Sequence, residues 1–298
     1  MSSKKQKLRS RNKWLIGNLF AITAILMPIS GQAIVPYIYK PEVEALKKTG
    51  LTIGRTAAQL IQIGKHRDAA RLAELAVRVE PEDPRLWSIL AEAQLRSELF
   101  NEASRSLAKA KKLDPNKASL WFAEASLAIK QNKIEVAIPL LDRGLELEPS
   151  NAGGYFHLGN ARVLQKKLPL AAKAFKQASD INPSFWEALN NEGLVHFEMG
   201  NLKQAIKSWR KVLTIEKNAE PMLALASALN AIQPGNEESI ELAINALAKN
   251  PNYVSSQHQK EQLWGTKLRQ ATSQLLTTPK LESAVDRAQA NSDAKTQL

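Results

Sequence analysis

ASLWFAEASLAIKQNKIEVAIPLLDRGLELEPSN, residues 118–151, decides the fold. It opens on apolar residues at helical spacing, with Trp121 followed by the small Ala125. A polar break follows at Gln131-Asn132-Lys133. A second periodic run then carries Ala137 and Leu141 before Pro149 stops it. Two amphipathic helices joined by a tight turn are predicted, and neither has a partner for its apolar face within so short a stretch.

The partner is more of the same. Moving outward by 34 residues in either direction, the terminating proline recurs as Pro81, Pro115, Pro149 and Pro183, with Lys217 in the next slot and Pro251 in the one after. Aligned on this position, the chain divides without gaps into 50–83, 84–117, 118–151, 152–185, 186–219 and 220–253. Position 4 of each unit is large and apolar: Ile53, Trp87, Trp121, Tyr155, Leu189, Leu223. Position 8 is small: Ala57, Ala91, Ala125, Gly159, Gly193, Ser227. Position 20 is small as well, Ala69 through Ala205 and then Ser239, while position 24 runs Ala73, Leu107, Leu141, Phe175, Trp209, Ala243. Small residues at 8 and 20 let two antiparallel helices cross closely, and bulky ones at 4 and 24 fill the space between helices. Gly64, Asn132 and Gly200 recur at position 15, inside the turn.

These columns resemble the tetratricopeptide repeat, and the resemblance covers about two thirds of the chain. It implies an all-α, right-handed α-solenoid of about six helix-turn-helix repeats. Departures occur at position 11, usually Tyr but here Leu60, Gln94, Ala128, Arg162, His196 and Asn230, and at Pro234-Gly235 in the last turn. Terminal units deviate because one side has no neighbour. Residues 254–278 carry a helical stripe (Leu263, Trp264, Leu268, Ala271, Leu275, Leu276) that predicts a single capping helix over 259–276. Pro279 ends it. Residues 279–298 have few apolar side chains and are expected to be a disordered tail.

The beginning of the chain reads as an address. Lys4, Lys5, Lys7, Arg9, Arg11 and Lys13 precede a mostly apolar run, Trp14–Ile29, and then Ser30-Gly31-Gln32-Ala33. Basic start, apolar middle and small-residue exit make residues 1–33 a signal peptide cut after Ala33, or an uncleaved membrane anchor with 34–49 as linker and helix start. The run is short against the roughly 20 apolar residues that span a bilayer. Either way the repeats are expected on the non-cytoplasmic side, in a periplasm or a thylakoid-lumen-like space, with membrane contact through the N-terminal segment if it is retained. Ile34-Val35-Pro36-Tyr37 together with Leu263-Trp264-Gly265 is similar to exported repeat proteins of photosynthetic bacteria, some relatives of which assist photosystem assembly.

Composition narrows the function. The formal charge of +12 belongs largely to the leader; beyond Ala33 there are 35 basic against 29 acidic residues, interspersed on helical faces. Nucleic-acid binding wants clustered cations and is not expected. With no cysteine there is no disulfide, thiol catalysis or thiolate metal site. His66, His157, His196 and His258 are scattered, and no His-Glu-x-x-His, Gly-x-Ser-x-Gly or phosphate loop is present. Glu124 and Glu192 share position 7, which suits pairing between helices rather than acid–base work. No enzyme activity, cofactor, metal or small-molecule substrate is expected.

The resemblance also implies where a partner lies. First helices of the family line a concave groove, with positions 2, 5, 9, 12 and 13 facing it. Here those positions, with position 6, nominate Ser88, Glu92, Arg96, Phe122, Ser126, Lys130, Phe156, His157, Asn160, Asn190 and Asn191 as the binding groove. Asparagines offer both donor and acceptor to an extended backbone, and the phenylalanines offer apolar contact; alternatively the rings pack against the next helix and the asparagines meet water. Position 5 never carries Lys, so the family's clamp for a C-terminal carboxylate is not reproduced. The expected function is an interaction scaffold for protein or peptide clients, assisting assembly or maintenance of a membrane-associated or extracytoplasmic complex. The alternatives are a self-associating structural protein, or a regulatory subunit of an envelope enzyme.

Overall fold

The structure, a computed structural model, describes residues 42–296. The leader, its cleavage point and Ile34–Tyr37 lie outside the described residues. Twelve helices form six consecutive pairs: α1 (Val43–Gln62) with α2 (His66–Val79), α3 (Pro84–Arg96) with α4 (Phe100–Leu113), α5 (Ala118–Lys130) with α6 (Ile134–Leu147), α7 (Ala152–Leu164) with α8 (Leu168–Ile181), α9 (Trp186–Glu198) with α10 (Leu202–Ile215), and α11 (Ala219–Ile232) with α12 (Glu237–Lys249). No strand occurs among the described residues. The chain is an all-α solenoid of helical hairpins.

The repeating columns become repeating contacts. Position 8 of each unit faces position 24 of the same unit, and the sizes compensate: a Cβ built on Gly159 would stand 2.5 Å from the ring of Phe175, and one on Gly193 2.7 Å from the indole nitrogen of Trp209. Where position 24 is the smaller Leu107 or Leu141, position 8 is alanine, and all four of these residues are buried. Trp87 and Trp121 at position 4 donate their indole N–H groups to the carbonyls of Pro81 and Pro115, at 2.7 and 2.9 Å, tying each first helix to the end of the preceding unit.

The turn inside each hairpin is set by backbone geometry more than by residue type. Position 15 is left-handed in the first five units, with φ of 77° at Gly64, 62° at Glu98, 58° at Asn132, 61° at Lys166 and 83° at Gly200. The N–H of the following residue reaches back five positions: Lys65 to Leu60 O (2.9 Å), Leu99 to Gln94 O (2.9 Å), Lys133 to Ala128 O (2.8 Å), Lys167 to Arg162 O (2.9 Å) and Asn201 to His196 O (2.8 Å). This closure satisfies the last carbonyls of the first helix. In the sixth unit α11 runs one residue longer and the left-handed position shifts to Gly235.

Two expectations for the C-terminal region need correction. The single capping helix is broken in two, α13 (Ser256–Glu261) and α14 (Thr266–Leu276), by a left-handed residue at Leu263 (φ 66°). The apolar stripe spans the break because Trp264 and Leu268 are buried on the same core. The supposed disordered tail instead forms a 3-10 turn, Pro279–Leu281, and α15 (Glu282–Thr296). Its few apolar residues are well placed: Leu281, Ala284 and Ala288 are buried, the last two against Leu247 of α12. Small side chains at i and i+4 suffice to cover a neighbouring helix, so a packed helix forms here despite low overall hydrophobicity.

Candidate functional site

Consecutive first helices approach one another (α1 with α3, α3 with α5, α5 with α7, α9 with α11), which makes them the inner wall of the solenoid. The nominated residues divide along this wall. Glu92 and Arg96 are exposed and pair with each other at 3.1 Å, one turn apart on α3. Ser88 donates to Pro84 O at 2.7 Å and belongs to its own helix. Ser126 is half-buried and Lys130 exposed on α5. The two phenylalanines are largely structural. Phe122 fills the gap left by Gly144 and Gly154, where an added Cβ would stand 2.5 and 2.7 Å from its ring. Phe156 leans on Phe175 and Phe185, with ring centroids 5.9 and 5.0 Å apart. His157 is half-buried beside Phe156, and burial holds its imidazole below the usual pKa. The position-7 carboxylates also separate: Glu124 pairs with Lys111 of α4, which sits over the Trp121 ring, whereas Glu192 faces His196 at 3.7 Å on its own helix.

The asparagines form a relay. Asn190 Nδ2 donates to Asn191 Oδ1 at 3.3 Å, and Asn191 Nδ2 donates to Asn160 Oδ1 at 3.0 Å, bridging α9 to α7. Asn190 is only 1% exposed and is therefore withdrawn from the wall's surface. Behind it lies Glu220 of α11, which accepts the indole N–H of Trp264 at 3.0 Å. The Asn190 amide and the Tyr253 hydroxyl face the same carboxyl group. Burial pushes the Glu220 pKa up against the opposing effect of these donors, and it pushes the Tyr253 phenol up too.

Sequence reasoning missed what fills the wall in the last two units. Helix α14 lies against α9 and α11, the inner helices, rather than over the end of the stack. Glu198, at position 13, accepts the backbone N–H of Leu268 at 2.9 Å and of Lys267 at 3.2 Å, while Lys267 Nζ donates to Glu198 O at 2.8 Å. The carboxylate thus serves as an N-cap from another helix. Deeper in, the fully buried hydroxyls of Ser227 and Thr272 meet at 2.7 Å; one donates to the other, which in turn donates to its own helix at Leu223 O or Leu268 O. The signal was present in the small Ser227 of position 8 and in Thr272. A buried hydroxyl pair is, however, not a sequence pattern with a known period.

At the boundary between the open wall and α14 there is a pocket of about 340 Å³. Val163 and Lys166 line it from α7 and the turn after it, Leu168 and Phe175 from α8, Asn191, Leu194, Val195 and Glu198 from α9, and Leu263, Gly265 and Thr266 from the elbow before α14. Among the described residues no three His, Asp or Glu side chains gather as a metal site, and no helix is long and apolar enough to cross a membrane.

The helical hairpins, their small-residue crossings and their proline stops coincide with a family pattern. Residues 59–118 and 122–184 match one model described as tetratricopeptide repeat, and 186–219 match another of the same description, together more than half of the chain. The chain belongs to the tetratricopeptide repeat family. No curated protein matches it. Among solved tetratricopeptide repeat structures, it resembles PilF of Pseudomonas aeruginosa (16% identity, 74% of this chain and 98% of that chain covered, TM-score 0.62). It also resembles PilW (18% identity, 74% and 97%, 0.58) and MamA (23% identity, 58% and 93%, 0.51). The likeness to these structures is one of fold: a solenoid of helical hairpins with the first helices along its inner wall.

Proposed function

We propose that the protein is a non-enzymatic scaffold that holds extended or helical segments of other polypeptides along the open part of its inner wall, from α3 to the first turns of α9, ahead of where α14 lies. The observation that carries the reading is the division of that wall. In the last two units it is filled by the chain's own α14, and in the units before them it stays open and presents Glu92, Arg96, Ser126, Lys130, His157 and Asn160. The filled half supports this reading: there a helical segment of the chain itself sets its backbone N–H groups on a wall carboxylate and its apolar side chains on the first helices. Asn160 has its Oδ1 engaged by Asn191 and its Nδ2 available for a partner's backbone carbonyl.

The setting we propose is extracytoplasmic, with the protein exported or held by its N-terminal segment. The basic run Lys4–Lys13 followed by Trp14–Ile29 supports this. Within that setting the role is assembly or maintenance of an envelope or membrane-associated complex. PilW, which shares the fold, is described as a type IV pilus biogenesis factor, a role of this general kind. An N-terminal mass measurement on protein purified from its host tests the export reading directly: a chain beginning at Ile34, or an intact leader in the membrane fraction, supports it, and an intact chain in the cytosol overturns it.

The scaffold reading is tested by photo-crosslinking in the host, with the crosslinking residue placed at Ser126, at Asn160 and, as a control, at Lys207 on α10. Polypeptide adducts are expected from the first two positions and not from the third. Adducts from Lys207 alone, or from no position, would remove the inner wall as the binding surface.

A further inference from the structure

The pocket at the boundary of the open wall plays no part in holding the repeats together, since the stack is closed beneath it by Phe175 and Val195, both buried. We propose that this pocket is the anchor site for one large apolar side chain of a bound polypeptide, preferably aromatic, and that an acidic residue next to that side chain is held by Lys166. The proposal rests on the reading that polypeptides lie along the inner wall.

Size and lining both support the anchor. A dry cavity of about 150 Å³ walled by aliphatic and aromatic groups already accommodates benzene; this one, at about 340 Å³, is larger and is walled by Val163, Leu168, Phe175, Leu194, Val195 and Leu263. Its polar rim is mostly spoken for. Glu198 is engaged by the N–H groups of Lys267 and Leu268, and Asn191 by Asn190 and Asn160. Lys166 differs. It is exposed, it makes no ion pair among the described residues, and the left-handed turn fixes its backbone at the pocket's edge. A cation without an anion beside an apolar hole selects a ligand with a carboxylate beside an apolar group. Continuity with the inner wall gives the chain of such a ligand a path along α7 toward Asn160.

The test uses the full chain and short peptides, acetylated and amidated, that carry one phenylalanine between two aspartates in a serine–glycine background. Two companion peptides replace the phenylalanine by alanine, or the aspartates by lysines. In calorimetric titrations the phenylalanine–aspartate peptide is expected to bind, and the alanine version about tenfold or more weaker, as loss of a buried aromatic side chain implies. Val163→Trp fills the pocket and is expected to weaken the first peptide about tenfold; should it lower the melting temperature, Leu263→Trp fills the same space from the elbow. Lys166→Asn, which tolerates the left-handed backbone, is expected to erase the preference for aspartate over lysine. Binding by both pocket-filled variants within twofold of the original protein, or no binding of the phenylalanine–aspartate peptide at millimolar concentration, overturns the proposal. Asn160→Ala separates the two readings. Loss in that variant with full binding by the pocket-filled ones keeps the wall and removes the pocket, and the reverse pattern keeps the pocket and removes the wall.

Discussion

The carboxylate of Glu198 on α9 accepts the backbone N–H of Leu268 on α14 at 2.9 Å, so a residue of the inner wall is engaged by the chain's own C-terminal region. Gly265 makes the approach possible, because a Cβ there would overlap the same carboxyl group. Glu198→Ala removes this cap and is expected to cost about 1 kcal/mol. The readout is local: amide exchange across α14 should speed up well before that of α5 or α7.

Gly193 and Trp209 fit as a pair of sizes. Gly193→Ala is expected to destabilise by about 1–3 kcal/mol through overpacking, measured as a shift in urea midpoint without change in slope. Adding Trp209→Leu, which restores the small-against-medium combination of Ala91 and Leu107, should recover part of the loss.

Glu98 adopts φ of 62° at a turn where Gly64 and Gly200 stand in other units. Relief of a left-handed backbone, about 1–2 kcal/mol, exceeds the added chain entropy of glycine, about 0.5–1 kcal/mol. Glu98→Gly is therefore expected to raise the melting temperature slightly, and a fall would contradict the turn assignment.

Burial raises the folded-state pKa of Glu220 above its ordinary 4.5. Between those two values the folded chain holds a proton that the unfolded chain has released. The contribution is fully present below the unfolded value and is lost as pH rises through the folded one. Unfolding measured from acid to neutral pH should show Glu220→Gln losing less stability over this window than the parent. A steeper loss in the variant would contradict the assignment.

Much of the fold could be read in the sequence because a period repeated six times averages out local ambiguity: Ala103, Ala137 and Ala171 argue for one another. The C-terminal region has no second copy. Nothing in the stripe from Leu263 to Leu276 distinguishes a helix capping the end from one lying in the groove, because both bury the same face. The helix over residues 282–296 is not legible in the sequence because Ala284 and Ala288 cover Leu247 with very little hydrophobicity. Within the groove, the column positions located the wall but not the depth of each side chain. Asn190 and Asn191 are adjacent in sequence, yet the first is buried against the Glu220 site and the second lines the pocket. Phe122 faces two glycines, Gly144 and Gly154, that lie in different repeats, a match invisible without the packing.

The central claim, a wall open in the middle repeats and self-filled in the last two, is tested most directly by hydrogen exchange of the full chain with and without the polypeptide captured by crosslinking at Asn160. The account predicts new protection in α5, α7 and the first turns of α9, with α14 already protected and unchanged. Protection confined to α8, α10 and α12, on the second helices, would contradict it.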